Sequence, residues 1–215
     1  MKEQKLSGNT RKMVMTAMLS AVATALMFAE FPIPFLLPSF LKFDFSELPA
    51  LIASFAIGPV WGAAVCLVKN LVHLSATMTG GVGELCSFLL GAAFVVPAGV
   101  IYRFHRTRRG ALVGAGVGAV TMAALSLPLN LFVTYPIYAV VFVPGATVQE
   151  GLGVILGLYQ VFLPFVQSIA QCLLLFNLPF TLAKGLIDDL IAFLIYKPLS
   201  RFIQGKGGAA RQTAA

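Results

Sequence analysis

The sequence predicts an all-α membrane protein with six transmembrane helices, and three observations carry that prediction. First, 59% of the 215 residues are hydrophobic and only 11% are charged, with a mean hydropathy of +0.91. A water-soluble domain carries about 25% charged residues, so this chain has too little polar surface to cover a globule in water. Second, its apolar residues fall in blocks of about 20, the length that crosses a hydrocarbon core about 30 Å thick. Third, twelve of the 15 Lys and Arg lie in three clusters: Lys2, Lys5, Arg11 and Lys12; Arg103, Arg106, Arg108 and Arg109; Lys197, Arg201, Lys206 and Arg211. Each cluster flanks an apolar block, the pattern of cytoplasmic loops and termini.

That placement also argues against nucleic acid as the partner of the +7 net charge. An anionic inner leaflet is the natural electrostatic neighbour. The chain reads as one domain, 1–215, with flexible cytoplasmic tails at 1–10 and 202–215. Cys66, Cys86 and Cys172 all lie in apolar segments without metal-ligand spacing, so they are expected as packing residues, with no disulfide and no metal site. The first apolar block lacks a small-residue cleavage site and is read as a retained helix.

The first helix is expected from Arg11 to Ala29, ending at Glu30 and a run of prolines, Pro32, Pro34 and Pro38. A loop from Phe31 to Ser46 follows. Ser46 is the expected N-cap of the second helix, with Pro49 in its first turn. Gly58-Pro59 ends that helix. Residues 47–74 therefore form either one kinked span or two helices around a tight turn. The short second helix rises only about 18 Å at 1.5 Å per residue, but the two-helix reading alone leaves all three basic clusters on one side. It is preferred on that ground.

The third helix is then Pro59 to Ala76, the fourth Gly83 to Tyr102 and the fifth Ala111 to about Tyr135. Gly114, Gly116 and Gly118 in the fifth let a neighbouring helix approach closely. In 136–178, the apolar stretch Leu158 to Leu175 is just long enough to span. A span there would put the C-terminal basic cluster outside, so it is expected as an external re-entrant or surface-lying segment. The last helix is expected from Pro179 to Leu199.

This threading gives each polar residue a depth. Glu84, Asn130 and Lys184, with Thr181 one turn above the lysine, fall at a similar outer level on three helices, beneath the Phe31–Ser46 loop. An ionisable group inside a bilayer is a functional candidate by default, and polar groups converging in an apolar pocket are the usual form of a small-molecule site. The plainer alternatives are snorkelling for Lys184, interhelical hydrogen bonding for Asn130 and a helix-dipole contact for Glu84. Lys69, Asn70 and His73 read as a polar stripe facing the bundle. Asp188 lies four residues after Lys184, in reach of an ion pair. No nucleophile–base or paired-carboxylate arrangement suggests an enzyme.

Ala17, Ala21 and Ala25 mark one smooth face of the first helix. In an alanine-rich helix this arises by chance; as a device, it is a docking face for a partner membrane subunit.

Several of these stretches resemble one family. PSFLKFDFSELPALIASFAIGPVWG, VKNLVH, VGELCSFLLGAAFVVPAGVIYR, the basic turn with RRGAL, and NLPFTLAKGL are similar to the riboflavin-binding S components of energy-coupling factor (ECF) vitamin transporters. The resemblance covers nearly the whole chain. It implies six helices with an outer-side pocket built from the first loop and helices four to six. By resemblance, Glu84, Asn130 and Lys184 fall on pocket positions, and Leu41, Lys42, Phe43, Asp44 and Phe45 on the lid. Where the family commonly has Asn-x-x-Lys, this chain has Thr181-x-x-Lys184, and Asn177 stands one turn earlier as a substitute amide.

The flat flavin suits such a site. Its pyrimidinedione edge can meet the donor and acceptor of Asn130, Lys184 can donate to a ring carbonyl, and Phe40, Phe43 and Phe45 can cover the rings. The implied function is capture of riboflavin, or its phosphate FMN, for uptake, with riboflavin as cargo and no cofactor. The implied partners are a transmembrane coupling (T) subunit and two ATP-binding subunits, since the chain has no nucleotide-binding motif. The location is a prokaryotic plasma membrane, crossed several times, with both termini cytoplasmic. The alternatives are an S component for another vitamin or precursor, and a structural membrane protein without a ligand.

Overall fold

The computed structural model describes residues 8–32 and 42–203, the last eight of these by backbone only. Helix α1 (Gly8–Phe28) leads into a two-residue strand β1 (Phe31–Pro32). This pairs antiparallel with β2 (Lys42–Phe43), in a register that places Phe31 opposite Phe43. Helices α2 (Glu47–Ala56), α3 (Pro59–His73), α4 (Val82–Phe104) and α5 (Arg108–Leu129) follow. Gly58 makes the α2–α3 turn with φ of 128°, a backbone that favours glycine. Pro59 then opens α3 where its missing N–H is harmless. The structure thus has two helices across residues 47–74, as the charge argument requires.

Helix α5 does not stop near Tyr135. It runs through a π turn, Asn130–Thr134, into α6 (Tyr135–Phe142). The last helix likewise begins earlier than Pro179. It starts as α8 (Ile169–Cys172), passes through a second π turn, Leu173–Asn177, and continues as α9 (Leu178–Ile203). The physical reason is the same at both places. Pro136 and Pro179 each lie two residues beyond a π turn. A proline inside a regular α-helix clashes with the carbonyl four residues before it, and a π turn shifts the preceding hydrogen-bond ladder by one residue. Pro136 and Pro179 therefore sit within continuous helices.

The expected re-entrant or surface segment at Leu158–Leu175 is replaced by three pieces. These are the end of α7 (Val148–Gln160), a turned stretch at 161–168, and the start of the last helix. Thr147 caps α7 in a reciprocal box with Glu150, which gives that helix a start independent of the apolar run. Packing of α6, α7 and α8 forms a second core around Tyr135, Ala139, Ile155, Tyr159 and Cys172.

The main core gathers α2, α3, α4, α5 and α9 around Leu51, Val65, Phe94, Val95, Ala119 and Met122. Small residues set its tightness. A Cβ on Gly118 would lie 2.3 Å from the Phe94 carbonyl oxygen, and one on Gly114 2.7 Å from that of Ala98; Gly116 has open space around it. Gly114 and Gly118 thus serve close packing of α5 on α4.

Among the described residues, four helical stretches are long and apolar enough to cross a membrane: Gly8–Phe28, Pro59–Ala76, Val82–Phe104 and Arg108–Phe142. Glu47–Ala56 is apolar but short. The last helix carries Lys184, Asp188 and Asp189 in its middle. Together these make the expected six-helix arrangement.

Candidate functional site: a buried ion network beneath the aromatic ribbon

The β2–α2 junction is a tight turn that brings charge into the bundle. Asp44 Oδ1 accepts the Ser46 backbone N–H at 2.8 Å, and the Leu48 N–H donates to the Phe45 carbonyl at 3.1 Å. Ser46 does not cap α2 with its side chain, contrary to expectation. Its hydroxyl donates to Glu47 Oε2 at 3.3 Å and accepts from the Lys69 ammonium. The demand of a buried lysine outcompetes the cap.

Four charged side chains from three regions meet here. Lys69, on α3, is fully buried and donates to Glu47 Oε1 at 2.7 Å. Lys184, on α9, bridges Glu47 Oε2 at 2.9 Å and Asp44 Oδ2 at 2.8 Å. Two cations and two anions balance within hydrogen-bonding distance. That balance matters, because a charge left unpaired inside a protein is worth about 3–5 kcal/mol of destabilisation. Burial by itself would push the Asp44 carboxyl up; the Lys184 and Lys69 ammonium groups outweigh this and hold it below the usual carboxylate range.

Lys184 therefore points inward, under the ribbon, and its partner is not Asp188. The Asp188 and Asp189 carboxylates are buried and make no hydrogen bond among the described residues. Asp44 and Glu47 occupy the lysine from above, and a nonlocal pair of carboxylates wins over the i+4 neighbour.

Aromatic rings roof this network. Phe43 is buried and touches Phe31 (centroids 5.8 Å apart), Phe45 (5.1 Å) and Phe180 (6.0 Å). Phe180 adjoins Thr181, which is half-buried one turn from Lys184. Lys42 is exposed and pairs with Glu30, the residue just before β1, instead of joining the network. Leu41 and Phe40 lie outside the described residues.

Glu84 belongs to a second polar set. Its carboxylate sits 3.0 Å from His73 Nδ1 and accepts from Thr77 at 2.9 Å and Thr79 at 3.3 Å. His73 stands one turn from Lys69 on α3, so the two sets are consecutive on one helix face. Lys69, Asn70 and His73 are the bundle-facing stripe the sequence suggests. Asn130 opens the π turn of the fifth helix and is half-buried. Asn177 closes the π turn of the last helix. Its oxygen accepts from Tyr159 at 2.8 Å and its amide nitrogen donates to Tyr135 at 3.0 Å.

Glu47 and Lys69 are the functional candidates that sequence reasoning missed as such. The available signal was that each is an ionisable residue in an otherwise apolar helix. Their pairing, 22 residues apart, is what turns that signal into a site.

Ala17, Ala21 and Ala25 lie on an exposed face of α1, while Thr16, Ser20, Ala23 and Met27 on the opposite side are buried. The alanine face is left unpartnered by this chain's own bundle.

Comparison with known proteins supports the same architecture. Residues 11–196 match the family described as ECF transporter, substrate-specific component. The riboflavin transporter RibU of Staphylococcus aureus (strain TCH60) is 34% identical over 194 residues, covering 90% of this chain and 93% of the relative. The riboflavin transporter FmnP of Bacillus subtilis (strain 168) is 29% identical over 204 residues, covering 93% and 97%. A solved S component of a bacterial ECF transporter superposes with a TM-score of 0.68 at 31% identity, covering 91% of this chain and 99% of that one. The inward lysine on the last helix, the short second helix and the aromatic ribbon thus lie in a chain that belongs to the substrate-specific components of ECF transporters.

Proposed function

We propose that this protein captures riboflavin at the outer membrane face and delivers it for ATP-driven uptake. The observation that carries the reading is Lys184. It is drawn inward and fixed by Asp44 and Glu47, beneath Phe43 and beside Thr181. Two proteins named as riboflavin transporters align with it along nearly their whole length.

The proposed site comprises the ribbon residues Leu41 to Phe45 as a cover, with Glu84, Asn130, Thr181 and Lys184 as polar contacts and Asn177 held ready by its two tyrosines. Lys184 has three N–H donors; two are engaged by carboxylates, and the third is available to a ring carbonyl. Phe43 and Phe45 offer apolar faces to a flat ring system.

For transport, the exposed Ala17, Ala21 and Ala25 face would rest on a transmembrane T subunit, itself driven by two ATP-binding subunits. In this reading the chain sits in a prokaryotic plasma membrane with both termini cytoplasmic, an orientation that the basic clusters support. Titration of the flavin-free protein with riboflavin, followed by flavin fluorescence, tests the reading. Saturable one-to-one quenching, weakened in Lys184→Ala, is the expected result; absence of quenching would overturn riboflavin as the ligand.

A further inference from the structure

Helix α2 has ten residues and α4 has 23, rising about 15 Å and about 35 Å at 1.5 Å per residue. The short helix leaves a notch at the end of the molecule opposite the ion network. A cavity of about 400 Å³ occupies it. Its walls are the α2–α3 turn at Gly58-Pro59, the start of α1 and the end of α4.

The charge of this cavity is one-sided. Lys12, Arg103 and Arg106 line it, and among the described residues no Asp or Glu does. Three cations facing one hollow repel one another unless an anion or water screens them. The positive end of α3 opens at the same place, since Gly58 is its N-cap, and adds to the attraction for an anion.

The rim is apolar. Val60, in the cavity wall, is 76% exposed, and Phe55, Ile57 and Pro59 line the wall with it. Trp61 and Tyr102 complete the wall, the two residue types that favour a membrane interface. A free inorganic anion would use the cations alone. A phospholipid uses both.

We propose that this notch is a binding site for the phosphate headgroup of an anionic phospholipid, held by Lys12, Arg103 and Arg106, with its glycerol and upper acyl chains against Val60 and Trp61. Guanidinium groups are suited to the task because they present parallel N–H donors to phosphate oxygens. The positive-inside pattern puts this end at the cytoplasmic leaflet, where anionic lipids are found.

Native mass spectrometry of the purified protein with phosphatidylglycerol or phosphatidylcholine, each added at the same concentrations, tests the site. The comparison variants are Arg106→Gln and Arg109→Gln, which remove the same charge three residues apart; of the two, only Arg106 lines the cavity. The expected result is preferential retention of one phosphatidylglycerol, weakened about tenfold by Arg106→Gln, the loss of one charge-assisted contact, and unchanged by Arg109→Gln. Inorganic phosphate at millimolar concentration should not displace the lipid. Equal binding of the two lipids, equal effects of the two variants, or ready displacement by inorganic phosphate would each overturn the proposal. Riboflavin quenching measured on the same preparations reports separately on the fold and on the transport reading, because neither arginine touches the ion network.

Discussion

The Lys184 ammonium lies 2.8 Å from an Asp44 carboxylate oxygen, across 140 residues of chain. This contact ties the aromatic ribbon to the last helix. It is the link through which a ligand seated under the ribbon would be felt by α9.

Asp44→Asn should weaken that link without emptying the site, because Glu47 still holds Lys184. Losing one charge-assisted hydrogen bond is worth about 1.5–3 kcal/mol, so riboflavin affinity should fall about tenfold or more. Fluorescence titration checks this; an unchanged affinity would detach the ribbon from the binding step.

Glu47→Gln should act on stability first. It leaves the fully buried Lys69 hydrogen-bonded to neutral groups alone, without the carboxylate it pairs with, and breaking a buried pair is worth about 3–5 kcal/mol. A marked drop in Tm in detergent is expected, partly restored in Glu47→Gln/Lys69→Met, where neither charge remains. No restoration would mean that the packing of Glu47, not its charge, matters.

Ala17→Trp and Ala21→Trp should block uptake in cells while leaving riboflavin binding by the purified protein intact. Both positions face outward from the bundle, so a large side chain there disturbs a partner rather than this chain. Loss of binding in detergent would count against the docking face.

Gly118→Ala and Gly116→Ala should differ in sign. The first puts a methyl 2.3 Å from the Phe94 carbonyl oxygen and must push α5 from α4; the second meets open space. Overpacking is worth about 1–3 kcal/mol of destabilisation, whereas Gly to Ala in an open helix position gains up to about 1 kcal/mol. Thermal melts of the two variants make the comparison directly.

Much of the architecture is legible in the chain because its signals are local. A block of apolar residues spans, a basic cluster stays inside, and Gly58-Pro59 turns. Each depends on neighbours in sequence and on the bilayer, not on a distant contact. The short α2 was legible for the same reason: the charge pattern admits only two helices there, whatever they pack against.

The tertiary structure decided what local signals misstate. Tyr135 and Pro179 are expected helix ends by sequence, yet Pro136 and Pro179 each sit beyond a π turn in a continuous helix. Ser46 has the chemistry of a cap, but Lys69, brought beside it by the α2–α3 hairpin, takes its hydroxyl. Asp188 has the right spacing to pair with Lys184, but Asp44 and Glu47 arrive from the other end of the chain and hold the lysine instead. In a low-dielectric interior the nearest opposite charge in space prevails over the nearest in sequence. The membrane class and the two helices around Gly58-Pro59 were therefore legible in the sequence alone; the ion network at the centre was decided by the fold, because only folding brings its four residues within reach of one another.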